Sequence, residues 1–250
     1  MERRNYEVLH DIWQIERFRT LSPFYLTRKR VIENLLRKNT NRKTTLIDIG
    51  CGIGDLISSL TPRPETIVGI DLSAQALESA SRRCGTASFV LADARTLPIK
   101  AKSFDLAICS EVLEHLHSDS QAVEEISRVL DRGGIAVFTA PQNQKYWTNE
   151  DTFDRHLRRY DANDFLKMLH DHDFAVEDFL SWGWPLAFLF RRYFSSRIFD
   201  AGLHNNFAFG QTRLTRILAK CLAEVFRFDF LFKGMNLGLG IVAVARHSRT

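Results

Sequence analysis

From residue 44 onward, short runs of β-forming residues alternate with helical stretches, and this alternation restricts the chain more than any other feature. Residues 44–49, 66–70, 87–91, 104–109, 135–139, 174–180 and 237–245 read as strands. Helices are expected near 55–60, from a Ser73 cap to about 84, over 118–130 with Gly133-Gly134 as the stop, and over 161–170. Such alternation builds βαβ units, and right-handed crossovers leave few ways to connect them. The predicted fold is α/β: a Rossmann-like, doubly wound, seven-stranded, mostly parallel sheet with helices on both faces.

Two stretches lie outside that pattern. Residues 1–43 read as an N-terminal helical segment, with Val8, Ile12 and Ile15 on one face, then Leu26, Val31, Ile32, Leu35 and Leu36. Ser22-Pro23 interrupts it. Tyr6, Trp13, Phe18, Phe24 and Tyr25 make it aromatic, as suits a cover for the sheet. Residues 179–232 hold eleven of the nineteen Phe residues together with several arginines. The expected division is therefore 1–43 as helical segment, 44–182 with 233–250 as core, and 183–232 as an aromatic-rich helical cap insertion.

The strongest local motif is the glycine turn of residues 46–55, where Gly50, Gly52 and Gly54 follow a strand and precede a helix. Bare backbone there lets a ligand come close. A dinucleotide fingerprint needs its third glycine one position later, where Asp55 stands, and it seats a pyrophosphate at the helix N-terminus. A carboxylate at that point repels phosphate by about 1 kcal/mol or more. A sulfonium nucleoside carries no phosphate, so spacing and charge both favour it. Asp71 closes the second strand 23 residues past Asp48, where a carboxylate can bond both hydroxyls of a ribose. The alternative for Asp71 is a helix N-terminal acid beside the Ser73 cap. Asp93 follows the third strand and suits an adenine amino group.

In order along the chain these segments resemble the class I S-adenosylmethionine-dependent methyltransferase family. DIGCGIG (48–54) resembles its cofactor loop, GIDLS (69–73) its ribose acid and LADARTLPI (91–99) its adenine side. FDLAICSEVLEHL (104–116) and VLDRGGIAVFTAP (129–141) resemble its fourth and fifth strands. The resemblance implies S-adenosyl-L-methionine as cofactor. It places Asp48, Gly50, Cys51, Gly52 and Gly54 at the methionine end, Asp71 and Leu72 at the ribose, Asp93 and Ala94 at the adenine, and Ser110 beside the methionine moiety. It implies methyl transfer to a small-molecule acceptor, with an apolar or lipid-linked one suggested by the aromatic segment. The alternatives are a catalytically silent cofactor-binding partner subunit and an NAD(P)-dependent oxidoreductase.

Residues 151–160 also resemble a family segment, often F-x-x-H-x-R-R-Y, here Phe153, His156, Arg158, Arg159 and Tyr160. His156 titrates near neutrality when unperturbed and suits a general base, with His115 as a second candidate. Arg158 or Arg159 could grip an acceptor carboxylate or phosphate, and Tyr160 completes the catalytic candidates. The alternative is an ordering loop over the cofactor. Some family members with an E-x-x-E-H segment and a later histidine bind a divalent metal, which draws attention to Glu111, Glu114, His115 and His156. Solvated or capping glutamates explain the same residues, and no metal is expected.

Composition sets the remaining bounds. A net charge of +4 is too weak a bias for a dedicated nucleic-acid binder, so no nucleic-acid partner is expected. Four cysteines without C-x-x-C spacing fit a reducing, cytoplasmic setting. The basic N-terminus is followed by no apolar run of signal-peptide type. The apolar stretches 184–190 and 237–245 are too short to span a bilayer, although the apolar-then-basic run 181–192 has the make-up of an interfacial anchor. Peripheral membrane contact is thus an open expectation, and oligomeric state is not legible.

Overall fold

The structure, a computed structural model, describes residues 22–195, 212–232 and 234–248. The strands are β1 (Thr45–Ile49), β2 (Thr66–Asp71), β3 (Ser88–Leu91), β4 (Phe104–Ser110), β5 (Leu130–Pro141), β6 (Phe174–Trp182) and β7 (Gly240–His247). They form one seven-stranded sheet in the order β3-β2-β1-β4-β5-β7-β6. Only β7 runs against its neighbours β5 and β6. The order reverses between β1 and β4, which makes the carboxyl ends of these two strands the switch point where α/β sheets bind ligands.

Helices cover both faces. One face buries Ala122, Val123 and Ile126 of α4 (Asp119–Val129) and Phe165 and Leu169 of α6 (Ala162–His170). The other buries Ile32 and Leu36 of α1 (Pro23–Asn39), Leu56 and Ile57 of α2 (Asp55–Ser59) and Leu77 of α3 (Ala74–Arg83). Strand β5 divides between them by alternation, with Ala136, Phe138 and Ala140 on the first face and Ile135 and Val137 on the second. The doubly wound, mostly parallel prediction holds.

One local reading is refined and one changes. Ser22-Pro23 is a helix start: the Ser22 hydroxyl accepts from the Tyr25 amide at 3.1 Å, and Pro23 is the first residue of α1. Tyr6, Val8, Ile12, Trp13, Ile15 and Phe18 lie outside the described residues. Gly133-Gly134 does not stop the preceding helix, because α4 ends at Val129 and the chain is extended from Leu130. The glycines sit where the register jumps from Phe104↔Leu130 to Leu106↔Ile135, and a Cβ on Gly134 would lie 2.9 Å from the Asp131 carbonyl oxygen.

In the 183–232 stretch, α7 (Leu186–Phe190) leads into a π-turn (Arg191–Ser195), and α8 (Arg213–Phe226) leads into a 3-10 turn (Arg227–Phe232). Phe24 of α1, Phe190 and Phe226 stack together at 5.4–6.0 Å. Buried Asp229 caps α7 by accepting from the Leu186 and Ala187 amides at 2.8 and 2.9 Å. The Thr27 hydroxyl reaches the Ala223 carbonyl, and Arg30 pairs with Glu224, so α8 lies along α1. Short α5 (Asn149–Phe153) follows β5 at the carboxyl edge of the sheet.

Candidate active site

The glycine turn leaves β1 held against β2, because the Gly50 and Cys51 amides both donate to the Ile70 carbonyl at 2.8 and 2.9 Å. Gly50 has φ +72°, and a Cβ there would meet Val112 at 2.2 Å. Gly54, with φ +70°, lies against Ala80 of α3. Side chains at these positions are therefore excluded by both conformation and space. Cys51 is buried, with its sulfur packed under Gly69.

Asp71 braces the turn. Its Oδ2 accepts from the Gly52 amide and its Oδ1 from the Ser73 amide, each at 2.8 Å. The carboxylate thus ties the glycine turn to the start of α3, as its helix N-terminal reading expects. Burial pushes its pKa up, against these backbone donors. Asp48 is buried on the same side, and burial together with the Asp71 charge raises its carboxyl to about 8. Two acids that each disfavour the other's charge make a site where a cation is welcome. Leu72 stands 61% exposed beside them, an apolar surface that a flat ring would cover. Asp93 is held by Arg95 through Nε at 2.9 Å and Nη2 at 2.6 Å, which lowers its pKa, and Ala94 is buried behind it.

Asp55 needs a correction. Lys29 reaches its Oδ2 at 2.5 Å, Tyr25 donates to the same oxygen at 2.9 Å, and Arg83 takes Oδ1 at 2.7 Å. Its charge is compensated by two cations and cannot repel a phosphate as the sequence argument supposed. The exclusion of a pyrophosphate rests on glycine spacing alone.

Ser110 begins a chain of polar contacts: Ser110 Oγ to Thr139 Oγ1 at 2.9 Å, Thr139 Oγ1 to Glu111 Oε1 at 3.0 Å, and Glu111 Oε2 to Arg28 at 3.0 Å. Glu111 has φ +56°, uncommon for a residue with a side chain, and its amide is fixed to the Thr139 carbonyl at 3.0 Å. Arg28 and Thr139 were not anticipated from sequence.

Beyond Ser110 the acceptor-side candidates converge. His156 Nδ1 lies 2.9 Å from Asp151 Oδ1, and the His115 and His156 rings meet edge-on at 4.9 Å. Burial opposes the Asp151 charge, but His156, Arg159 and Arg191 outweigh it and hold its carboxyl far below the usual range. An ionised carboxylate only accepts, so Nδ1 donates to Asp151 and Nε2 is the outer ring nitrogen. That nitrogen lies 3.9 Å from Glu114 Oε1. Glu114 is fully buried, neither carboxylate oxygen has a hydrogen-bond partner, and burial, then the charge of Glu111, pushes its pKa well up. Glu114, His115 and His156 each offer an atom within 4.8 Å of the others, a donor set that fits a divalent cation.

The arginines and Tyr160 face elsewhere than expected. Arg159 is buried, with Nη2 2.7 Å from Asp151 and Nη1 on the Gln142 and Leu239 carbonyls. Arg158 binds Asp119 at 2.8 Å and the Leu116 and His117 carbonyls. The Tyr160 hydroxyl, also buried, donates to Asp119 Oδ2 at 2.7 Å. Both Arg159 Nη atoms, Arg158 and the Tyr160 hydroxyl are engaged within the protein, where they fix the loop that carries His156, and Arg159 Nε is buried without a partner among the described residues. Asp151 is the functional residue that sequence reasoning passed over. Its one local signal is the capping box with Thr148, three residues upstream.

A turn of bare glycine backbone at the switch point, flanked by buried Asp48 and half-buried Asp71, sits on a Rossmann-like domain. Residues 47–138 match the methyltransferase domain family. The chain carries a methyltransferase domain over residues 47–138, and this region is similar to the class I S-adenosylmethionine-dependent methyltransferases, whose cofactor is S-adenosylmethionine. It is 32% identical over 150 residues to a malonyl-[acyl-carrier protein] O-methyltransferase of Marinomonas sp. (strain MWYL1), covering 55% of each chain. It is 32% identical over 128 residues to a demethylmenaquinone methyltransferase of Thermotoga maritima, covering 49% of this chain and 54% of that one. The chain thus spans about half the length of these curated relatives. The fold matches that of the N-methyltransferase NodS from Bradyrhizobium japonicum WM9 in complex with S-adenosyl-L-homocysteine, with TM-score 0.56, 17% identity, and coverage of 90% and 88% of the two chains. The oxidoreductase alternative has no support in these matches. Among the described residues no helix is long and apolar enough to cross a membrane.

Proposed function

We propose that this protein transfers the methyl group of S-adenosylmethionine to an oxygen of an apolar small-molecule acceptor, with His156 as general base. The observation that supports this reading is the Asp151–His156 pair, which leaves Nε2 on the side of Glu114 and His115. Bound S-adenosylmethionine supplies an electrophilic methyl group. Gly50, Gly52 and Gly54 would leave room for it, Asp71 would hold its ribose, Leu72 and Ala94 would flank its adenine, and Asp48 would lie on the side of its positive charge. His156 Nε2 takes the acceptor proton, and Asp151 stabilises the resulting imidazolium. Arg159 and Arg191 keep Asp151 ionised for that task. Phe153 and Leu157, both exposed beside His156, favour an apolar acceptor. The relatives' acceptors, a malonyl-acyl carrier and a demethylmenaquinone, are compatible with such a site.

One observation favours a second reading of the acceptor side. The partnerless carboxylate of Glu114, with His115 and His156, would hold a divalent cation, which would supply Lewis-acid activation of the acceptor oxygen. Calorimetry with Mn²⁺ separates the two readings. Binding that Glu114→Gln abolishes supports the ion, whereas no heat leaves His156 as the base.

The whole reading is tested by titrating S-adenosyl-L-homocysteine into the protein and assaying methyl transfer to hydroxylated quinone precursors and acyl-carrier carboxylates. Cofactor binding with no acceptor turned over across that panel would favour the silent partner subunit. Absence of cofactor binding would remove the assignment.

A further inference from the structure

The cap places its aromatics differently from the sequence-based expectation of an anchor at 181–192. Trp182 is buried in β6, while Phe188 packs against Tyr146 and Trp184 at 4.9 and 4.8 Å. Leu189, Tyr193 and Phe194 remain exposed there, and a larger exposed apolar surface lies on α8 and the turn after it. At 100° per residue, Ala219, Ala223 and Phe226 form the buried side of α8. Leu214, Ile217, Leu218 and Val225 form a second apolar stripe on the opposite side, all exposed. Phe228 and Leu231 extend that stripe, with Leu214 at 75% and Leu231 at 79% exposure. A contiguous stripe of this size marks an interaction surface, since isolated exposed apolar residues are ordinary.

Charge identifies the partner. Residues 183–233 carry eight Lys and Arg against three Asp and Glu, while the rest of the chain carries twenty-six against twenty-seven. The positive charge of the protein is thus concentrated in this one segment. On α8, exposed Arg213 and Lys220 run along one flank of the stripe. Among the described residues of this segment the acids are engaged elsewhere, because Glu224 pairs with Arg30 and Arg227 and Asp229 caps α7 from a buried position. A second copy of the chain seated on this stripe would bring an equal net positive charge against it, whereas an anionic surface would complement it.

We propose that the outer face of α8 and the following 3-10 turn is an interfacial docking surface for an anionic lipid bilayer, its apolar stripe sunk among the acyl chains and its cations at the headgroups. About 21 Å of helix would lie in the interface plane. This inference is independent of the methyl-transfer reading, because vesicle binding is measured without cofactor or acceptor.

The test is co-sedimentation of the full chain with phosphatidylcholine vesicles and with vesicles containing about a third phosphatidylglycerol. The protein should pellet with the anionic vesicles and be released at about 1 M salt, where the Debye length is ~3 Å. Each cation near such a surface is worth about fivefold in partitioning, so reversing two with Arg213→Glu and Lys220→Glu should weaken it about 25-fold or more. Leu214→Glu with Leu218→Glu should abolish it, and unchanged circular dichroism would exclude misfolding as the cause. Equal partitioning onto neutral and anionic vesicles overturns the proposal. So does a dimer by light scattering that Leu214→Glu disperses while no vesicle affinity is found.

Discussion

The two halves of the cleft are built by different means. The cofactor half is made of strand ends and bare backbone: three glycines, the Ile70 carbonyl and an acid closing β2. The acceptor half is made of side chains drawn from separate segments, with Asp151, His156, Arg159 and Arg191 meeting around one buried carboxylate. Backbone geometry is dictated locally and admits few alternatives. A charge network depends on every partner arriving, and it fails when one is removed.

If the acceptor half carries the chemistry, His156→Ala should show the largest effect. Turnover is expected to fall about 10²–10⁴-fold with S-adenosyl-L-homocysteine affinity unchanged. A matching loss of affinity would merge the two halves. Arg159→Leu tests the network by leaving buried Asp151 short of a cation. It should cost about 3 kcal/mol of stability in denaturant titrations, and a neutral result would mean the pairing is incidental. On the cofactor side, Asp71→Ala should weaken S-adenosyl-L-homocysteine binding about tenfold or more by calorimetry. Affinity equal to the wild type would take Asp71 out of the site.

Asp48 sharpens the contrast through pH. Its folded pKa of about 8 lies above that of an exposed carboxyl near 4. Between these values the folded protein binds more protons than the unfolded chain, so stability falls as pH rises. Asp48→Asn cannot ionise, and its stability in denaturant titrations should gain on the wild type by about 1.4 kcal/mol per pH unit, about 4 kcal/mol from pH 5 to pH 8. Parallel curves would show that Asp48 is ionised throughout. The smallest effect belongs to Tyr160→Phe, which loses one hydrogen bond to Asp119, about 1 kcal/mol, and should leave turnover unaltered.

The same division explains what was legible in the chain. The sheet, its helices and the glycine turn follow from hydrophobic period and local conformational need, which adjacent residues encode. The burial of Gly133-Gly134 in a strand irregularity was not legible, since a glycine pair after a helix reads as its stop. Arg159 and Tyr160 looked available for an acceptor because sequence gives charge without direction. Their partners, Asp151 and Asp119, stand 8 and 41 residues away. Asp55 misled for the same reason, because Lys29 and Arg83 reach it from other elements. The exposed stripe of α8 was hidden by a helix that is apolar on two sides, whose inner side only the contact with α1 reveals.

Helix α1 is a shared girder. Its Lys29 and Arg28 grip the turn region through Asp55 and Glu111, while its Thr27 and Arg30 hold α8. Whatever stiffens one end of that girder is felt at the other. Thermodynamic reciprocity then demands that, if lipid contact alters the hold on the nucleoside, the nucleoside alters the hold on lipid by the same factor.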